Sequence, residues 1–598
     1  MKKPKLMVIG LDSISLTLLD KFAACTPNIR RLMRGGTSGR ALPCFPVYTP
    51  TNWAALSTGA DPGATAAAAW RNECAGRELS TFDRRAIPCD TIFDSAARAG
   101  LTTLAISYPS AHPTASPRNM VLAPLDRGLV SNSLVPGRII EAPPGKDAAF
   151  EFDLLQTPAA LSGASAAKAA GATEDGAEAA SGAKRRASAG KVRARIRRTG
   201  RAAWALCISP AGEPVYELQD GRWSEPIRVD IAAPGRPGRC TVRVMVFDAG
   251  RRIAISEAYD VGALGKPAAL AQKVLNRLDP PVEHSVFYTA MSDLFAKGVE
   301  DKAITDMTRR DMTAQADWIV AAAAMVQKAR PFDVFYLHHH YPDSVLHHCL
   351  SAAEGLRPYT PKQHRLAREA IAMCLRICDR LVGGLMRLAG PKTTVLLVSD
   401  HGNVSNRYSC SLLRRLVETG LTRLDSHGKP DRARSQAWPD RVGTWVAVNA
   451  KAGTQRYARI QEKVIDALLD WRGKDGKRVV ALALRRKDSH VLGYYGQECS
   501  DVTFHFNSGF SWFGSPDRSV HEDTHGANHG PQMPVTFSKL SDNLAFFVLK
   551  GPRFAAAHRA DEQKGYVRLV DMVPTICAAS GVPAPRDATG AVRHDLER

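Results

Sequence analysis

Two apolar runs, each followed directly by an aspartate, constrain the fold more than any other feature of this sequence. The run that begins at Lys5 ends in Asp12, and the run that begins at Thr393 ends in Asp400. Runs of this kind are typical of strands that are buried on both faces of a parallel sheet. Ligands of open α/β sheets bind beyond the carboxyl ends of such strands, so the pattern predicts that both aspartates face one crevice. Taken alone, each aspartate is also typical of a turn or a helix cap.

The flanking sequence predicts an α/β fold. Apolar runs and amphipathic stretches alternate within the first 120 residues as Leu6 to Leu11, Leu18 to Leu32, Thr91 to Arg98 and Leu101 to Ile106. We interpret Leu18 to Leu32 as one helix. Further along, apolar residues at helix spacing predict long helices over Asp301 to Lys328 and Pro361 to Leu388. This order indicates βαβ units and a central, mostly parallel sheet flanked by helices.

The length of 598 residues allows a large domain and at least one smaller unit. Composition predicts 1–156 as the first part of the main α/β domain, 157–200 as a linker rich in Ala, Gly, Lys and Arg, 201–265 as a small β-rich insert, and 266–598 as the second part of the main domain. Short alternating runs such as Thr241 to Phe247 indicate antiparallel strands in the insert. The main domain would carry the catalytic chemistry.

The formal net charge of +21 is partly local. Eight basic residues fall in one short segment: Lys184, Arg185, Arg186, Lys191, Arg193, Arg195, Arg197 and Arg198. This segment is typical either of a solvated basic tether or of a contact with nucleic acid or anionic lipid. Both interpretations stay open on the sequence alone.

Targeting and membrane signals are weak. No stretch of about 18 uninterrupted apolar residues occurs, so we expect no membrane span. The amino terminus is positively charged, but its apolar run is short and no small-residue cleavage site follows, which favours a first buried strand over a signal peptide. The twelve cysteines have no regular spacing, and we expect reduced thiols in a cytoplasmic protein, with disulfides as the alternative.

Histidines are unusually dense before and after Asp343. His338, His339, His340, His347 and His348 lie within eleven residues. On a helix that begins after Pro342, Asp343 and His347 would share one face, where they could bind a single divalent ion such as zinc. A polar surface loop is the alternative. A later set comprises His521, His525 and His529, in a segment whose glycines would let the backbone approach an ion closely.

A phosphate-binding helix start is predicted at Thr49. The stretch from Phe45 to Gly59 runs from a loop into a helix, and Thr49 would lie near the amino end of that helix. Backbone N–H groups and the helix dipole favour a bound phosphate there, and the Thr49 hydroxyl could attack it if a metal lowered the hydroxyl pKa. Asn52 could donate to a phosphoryl oxygen. Ordinary helix capping by Thr49 or Thr51 is the alternative.

Taken in order, these segments resemble the alkaline phosphatase superfamily, and most closely its type I phosphodiesterase and nucleotide pyrophosphatase branch. The resemblance is carried by Asp12 after the first strand, the run from Thr49 to Gly63, Asp343-x-x-x-His347, Ser399-Asp-His-Gly402, a late His-Gly and the closing runs Leu544 to Pro552, Val570 to Ile576 and Gly581 to Pro585. It extends over roughly residues 5–125 and 280–590. The His-Gly that often follows the nucleophile helix is replaced by Ala64 to Trp70, so the substrate-side loop differs from the family pattern.

The resemblance implies a site with two divalent metal ions, usually Zn²⁺, with Mn²⁺ as the alternative. The metal ligands that it implies are Asp343, His347 and His525 for one ion, and Asp12, Thr49, Asp400 and His401 for the other. His529 and His521 are alternatives to His525. The resemblance also implies that Thr49 attacks phosphorus and forms a phosphothreonine, which water then hydrolyses.

We therefore expect a metal-dependent hydrolase of small-molecule phosphate esters, with phosphodiester or nucleotide pyrophosphate bonds as the preferred substrates. A phosphomonoesterase or phosphonate hydrolase of the same superfamily is one alternative. A non-catalytic anion-binding protein that uses the basic linker, with nucleic acid as a partner, is another. The sequence leaves the oligomeric state open.

Overall fold

A computed structural model describes residues 2–74, 76–126, 129–130, 133–135, 137–142, 150–155, 192–200, 202–209, 215–233, 236–260, 265–275, 277–278, 286–356, 359–496, 499–512, 517–522 and 526–597. The chain divides into two compact units. The first unit comprises Met1–Val121 and Ala323–Arg598, and the second comprises Leu122–Ala322. The domain boundaries predicted above stay a prediction, and residues 157–191 of the predicted linker lie outside the described residues.

A mixed, mostly parallel sheet forms the centre of the first unit, which confirms the predicted α/β class. Its strands are β1 Leu6–Leu11, β2 Thr37–Leu42, β3 Thr103–Ile106, β4 Asn119–Leu122, β5 Val334–His339, β6 Thr394–Val398, β7 Ala545–Lys550, β8 His558–Arg559 and β9 Val567–Arg568. They lie in the order β4-β3-β5-β1-β6-β7-β2-β8, and β9 also pairs with β2. Strand β7 is antiparallel to both of its neighbours, β6 and β2.

The first apolar run is continuous because it forms β1, a strand in the middle of the sheet. All six residues of β1 are buried, because β1 pairs in parallel with β5 on one side and β6 on the other. Leu6 is in register with Val334 and with Thr394, so the three strands end at the same edge of the sheet. The residues that follow these strands are thereby brought together.

The helices of the first unit are α1 Leu16–Lys21, α2 Pro27–Arg34, α3 Thr49–Thr58, α4 Pro62–Thr65, α5 Ile92–Arg98, α6 Tyr341–Glu354, α7 Pro361–Met386, α8 Leu412–Glu418, α9 Gln455–Leu469 and α10 Met572–Ser580. The prediction of one helix over Leu18 to Leu32 was wrong. The segment forms α1, a 3₁₀ turn at Ala23–Cys25, and then α2. Pro27 is the first residue of α2, and because proline lacks an N–H it starts a new helix instead of continuing the previous one.

Smaller sheets complete the first unit. One sheet has the order Ala437–Pro439, Trp445–Val448, Val502–Phe506 and Val480–Arg485. The remaining strands are Arg71–Cys74 with Arg77–Ser80, Val404–Ser405 with Ala527–Asn528, and Tyr408–Cys410 between Phe510–Ser511 and Val520–Glu522. The pair formed by Val404–Ser405 and Ala527–Asn528 brings the late histidine segment close to the residues that follow β6.

The second unit contains several antiparallel sheets. Its strands are Leu125–Asp126, Leu129–Val130, Ser133–Val135, Arg138–Glu141, Phe150–Leu155, Val192–Gly200, Ala203–Ser209, Val215–Gln219, Arg222–Trp223, Ile227–Ala233, Arg236–Val242, Val244–Phe247, Arg252–Ile255, Ala258–Asp260 and Gly265–Lys266. Helices cover Ala268–Leu275, Val286–Ala296 and Lys302–Ala329. None of the helices in the described part of the chain is long and apolar enough to cross a membrane.

The strand Val192–Gly200 lies in the last part of the predicted linker. Ala194 and Ile196 are buried, whereas Arg193, Arg195 and Arg197 are exposed. This alternation is that of a half-buried strand, and the basic residues occupy its solvent side. Four of the eight basic residues therefore lie on a strand of the second unit, and the other four lie outside the described residues.

Candidate metal centre

The candidate site lies in the first unit, at the carboxyl ends of β1, β5 and β6. Asp12 directly follows β1, His340 follows β5, and Asp400 lies two residues after β6. Asp12 and Asp400 are both fully buried. Gly10 makes this arrangement possible, because a Cβ at that position would lie 2.3 Å from the ring of Trp53, whose indole nitrogen reaches Asp12.

The first ligand group is built on helix α6. Pro342 lies in the first turn of the helix, and the turn spacing places Asp343 and His347 on one face. The Nε2 atom of His347 is 3.2 Å from Asp343 Oδ1. His529 approaches the same oxygen from the late segment, with its Nε2 atom at 3.6 Å. Gly526 is needed here, since a Cβ would lie 2.7 Å from the carbonyl oxygen of His347.

The second ligand group joins Asp12, Asp400 and His401, whose ligand atoms all lie within 4.8 Å of one another. The Nε2 atom of His401 is 3.0 Å from Asp400 Oδ2 and 3.8 Å from Asp12 Oδ1. The imidazole rings of His401 and His529 are stacked with their centroids 3.7 Å apart. The two ligand groups are therefore adjacent parts of one centre.

The tautomers of three histidines fit a bound cation. The Nδ1 atoms of His347, His529 and His401 donate to the backbone carbonyls of Ala527 (2.7 Å), Val47 (2.5 Å) and Gly402 (3.0 Å). Because a carbonyl oxygen only accepts, each Nδ1 carries a hydrogen, and in the neutral imidazole, the form that binds a metal, each Nε2 presents a lone pair. Each of these lone pairs points at a carboxylate oxygen. Such a pair of atoms is stable only when a proton or a metal ion lies between them.

The distances between these nitrogen and oxygen atoms are compatible with a shared metal ion. Two nitrogen or oxygen ligands of a tetrahedral zinc ion lie roughly 3.3 Å apart, given metal–ligand bonds of about 2.0–2.1 Å. The contacts from His347, His529 and His401 to carboxylates, between 3.0 and 3.6 Å, fit that separation. The residues present therefore fit a divalent cation in each group.

The other oxygen of Asp12 is held by hydrogen bonds. The Oδ2 atom accepts from Trp53 Nε1 at 3.2 Å and contacts His338 Nε2 at 2.7 Å and His340 Nδ1 at 3.0 Å. The Oδ1 atom, by contrast, is buried without a hydrogen-bond partner among the described residues. Asp12 is thus oriented with one oxygen held by the protein and the other available to a cation.

Charge is concentrated in this buried centre. Burial raises the pKa of Asp400 to about 7, and the charge of Asp12 adds to that rise. Burial would also raise the pKa of Asp343 and of Asp12, but His347 holds the first and His338 with His340 hold the second well below the usual range. Burial would lower the pKa of His401, yet Asp400 raises it to about 9. Buried carboxylates at this density need positive partners.

Thr49 is the first residue of helix α3 and borders the second ligand group. Its Oγ1 atom is 3.3 Å from His401 Nε2, and the residue is only 2% exposed. No side chain caps α3, and Thr51 donates its hydroxyl hydrogen to the carbonyl of Ala67. The capping role that was the alternative for Thr49 and Thr51 is therefore absent from the described structure.

Asn52 holds the loop that precedes Thr49. Its Oδ1 atom accepts from the backbone nitrogen of Cys44 at 2.7 Å, and its Nδ2 atom donates to the carbonyl of Tyr48 at 3.0 Å. The amide is buried and engaged with the backbone. Donation from Asn52 to a phosphoryl oxygen stays a prediction.

The late histidines differ in position. His525 lies outside the described residues. His521 is on the strand Val520–Glu522, where its Nε2 atom donates to the carbonyl of Arg518. His529, the alternative to His525, faces Asp343. The structure thus brings Asp12, Thr49, Asp343, His347, Asp400 and His401 together with His529.

Sequence reasoning did not assign roles to His338, His340 and Trp53. The density of histidines before Asp343 was the available signal for the first two. Their role follows from the parallel pairing of β5 with β1, which places Gly10 beside His338 and Leu11 beside His339. That pairing brings the end of β5 next to Asp12.

No curated protein sequence matches the chain significantly. Similar solved structures include a variant of the alkaline phosphatase PafA, with 10% identity, full coverage of both chains and a TM-score of 0.49. Murine ectonucleotide pyrophosphatase / phosphodiesterase 5 has 12% identity, full coverage of both chains and a TM-score of 0.45. Phosphonoacetate hydrolase from Sinorhizobium meliloti 1021 has 11% identity, coverage of 97% of this chain and 100% of that chain, and a TM-score of 0.45.

The family assignment rests on the sequence model of one family. The model described as type I phosphodiesterase / nucleotide pyrophosphatase matches residues 6–159 and 223–532, which is more than half of the chain. The matched residues include the strand-end acids, the Thr49 helix and all three histidines of the two ligand groups. The chain belongs to the type I phosphodiesterase / nucleotide pyrophosphatase family of hydrolases.

Proposed function

We propose that this protein hydrolyses phosphodiester or nucleotide pyrophosphate bonds, with Thr49 as the nucleophile. The observation that carries the proposal is the convergence of a threonine hydroxyl with two adjacent Asp/His groups in one buried centre. Family membership supports the reaction class.

The two ligand groups would hold two divalent cations, for which we propose zinc. Asp343, His347 and His529 would bind one, and Asp12, Asp400 and His401 would bind the other. Sets of histidine and carboxylate ligands that leave a position open are typical of catalytic zinc. Bound ions would supply positive charge that lowers the pKa of the Thr49 hydroxyl and neutralises phosphoryl oxygens. Mn²⁺ is the alternative ion.

The protein performs the reaction in two displacements. In the first, Thr49 Oγ1 forms a bond to phosphorus while the bond from phosphorus to the leaving oxygen breaks, and the leaving group takes up a proton. In the second, a water oxygen bonds to phosphorus, the bond to Oγ1 breaks, and Thr49 recovers its proton. The position of Thr49 at the start of α3 suits this role, because Pro50 and the helix backbone fix the hydroxyl beside His401.

The test compares three proteins on three substrates. Wild type, Thr49→Ser and Thr49→Ala are assayed with p-nitrophenyl phosphate, bis-p-nitrophenyl phosphate and a thymidine phosphodiester, and metal content is measured for each. We expect Thr49→Ala to keep its metals and lose turnover by at least about a thousandfold, and Thr49→Ser to retain part of it because the hydroxyl remains. After an acid quench of the wild type, a peptide containing Thr49 should carry one phosphoryl group, which keeps its remaining ester group when the substrate is a diester. Full turnover in Thr49→Ala would refute the covalent route.

A further inference from the structure

Ser13 follows Asp12 at the carboxyl end of β1. The residue is fully buried, and its φ of 62° lies in the left-handed region. A serine rarely adopts this conformation, whereas glycine adopts it without strain. A side chain kept at a strained position next to a functional centre indicates that the side chain has a role there.

The polar atoms of Ser13 contact both ligand groups. Its hydroxyl donates to Asp343 Oδ1 at 2.7 Å, the same oxygen that faces His347 and His529. Its Oγ atom also lies 3.2 Å from His401 Nδ1, and its backbone nitrogen donates to Asp400 Oδ1 at 3.3 Å. Ser13 therefore contacts Asp343 of the first group and both Asp400 and His401 of the second.

The direction of these hydrogen bonds follows from the chemistry of the partners. A carboxylate only accepts, so the single hydroxyl hydrogen of Ser13 goes to Asp343. The Oγ atom can then accept from the Nδ1–H of His401, which leaves the Nε2 lone pair of His401 directed at its own ligand group. The carbonyl of Gly402 also accepts from Nδ1, at 3.0 Å. Asn403 Nδ2 adds weaker contacts, 3.4 Å from both Ser13 Oγ and Asp343 Oδ1.

We propose that Ser13 is a positioning residue that couples the two metal groups, orienting Asp343 of the first and His401 of the second through one hydroxyl. The inference rests on the metal centre of the proposed function and is independent of the substrate. Loss of the hydroxyl should affect the Asp343 group more, because Gly402 still fixes the tautomer of His401. Hydrogen bonds of this kind to metal ligands typically change metal affinity by about 10- to 100-fold.

Two substitutions separate the hydroxyl from the backbone. Ser13→Ala removes the hydroxyl and keeps the strained Cβ, whereas Ser13→Gly removes the hydroxyl and relieves the strain. Ser15→Ala is the matched control, because Ser15 is also buried in the same loop but bonds to Ser541 and the backbone of Leu18. Metal-free full-length protein is titrated with Zn²⁺ against a competing chelator, and Co²⁺-loaded protein is examined by absorption spectroscopy.

The expected result is two zinc ions in the wild type and in Ser15→Ala, with about 10- to 100-fold weaker binding of at least one ion in both Ser13 variants. The Co²⁺ spectrum should change in the Ser13 variants alone. If Ser13→Ala fails to fold, Ser13→Gly carries the test, since its backbone is unstrained. Wild-type affinities and an unchanged spectrum in Ser13→Gly would overturn the coupling role. If the wild type binds two ions but has no turnover, the proposed reaction is rejected and the test of Ser13 is still valid. If the wild type binds no ion, both the proposed reaction and the role of Ser13 are overturned.

Discussion

The ring of His338 lies between two acceptors, and its contact with Asp12 can be removed separately from its contact with Ser107. His338 is fully buried, with Nε2 2.7 Å from Asp12 Oδ2 and Nδ1 3.1 Å from the carbonyl of Ser107. Glutamine can place an amide nitrogen near the position of Nε2, whereas the shorter asparagine can reach only toward Ser107. His338→Gln therefore preserves the contact with Asp12, and His338→Asn removes it.

The size of the effect follows from the contacts of Asp12 Oδ2. A hydrogen bond to a charged group contributes about 1.5–3 kcal/mol, which corresponds to roughly 10- to 150-fold in a binding constant. Trp53 and His340 still contact the same oxygen in the variant. We therefore expect the lower end of the range, with about tenfold weaker binding of the ion held by the Asp12 group in His338→Asn.

The assay is a chelator-competition titration of metal-free protein with Zn²⁺, which resolves the two binding steps. The expected order of affinity at the Asp12 group is wild type, then His338→Gln, then His338→Asn, with the Asp343 group affected least. Equal affinities for all three proteins would refute the orienting role of His338. Equal losses in the glutamine and asparagine variants would show that ring packing, and not the bond to Asp12, is what matters.

Three further predictions concern the metals. His529→Ala should lose one zinc ion and at least about a hundredfold of turnover, whereas His525→Ala should keep both ions. The reverse pattern in a metal analysis would show that His525, and not His529, is the metal ligand from this segment. Burial and the charge of Asp12 raise the pKa of Asp400 to about 7, and Asp400 in turn raises the pKa of His401 to about 9, so below pH 7 zinc must displace a proton from each. Zinc affinity should then fall by at least about tenfold per pH unit below pH 7. The fall should be shallower in Asp400→Asn. A zinc affinity of the wild type that does not change with pH would contradict this prediction. Removal of the metals with a chelator should lower Tm by several degrees, because the buried carboxylates lose their counterions, and added zinc should restore it; an unchanged Tm would contradict the buried charge.

The sequence predicted those parts of the site that local pattern determines. Asp12 and Asp400 could be predicted as acids at strand ends because they follow apolar runs. Asp343 and His347 could be predicted as a pair because helix spacing puts them on one face. Pro27 was an available signal against one helix over Leu18 to Leu32.

The remaining parts depend on tertiary structure. His338 and His340, at the end of β5, contact Asp12 only because β5 pairs in parallel with β1, and no local sequence pattern predicts that pairing. His529 faces Asp343 and has its tautomer fixed by the carbonyl of Val47, and both contacts depend on the tertiary structure. The left-handed backbone of Ser13 has no sequence signature, since serine normally avoids it.

The most direct test of the two-metal centre is anomalous diffraction at the zinc edge from crystals of the zinc-loaded protein. Our account predicts two peaks, one among Asp343, His347 and His529 and one among Asp12, Asp400 and His401, with the Thr49 hydroxyl beside the second. A single peak, peaks elsewhere in the molecule, or none at these residues would contradict it.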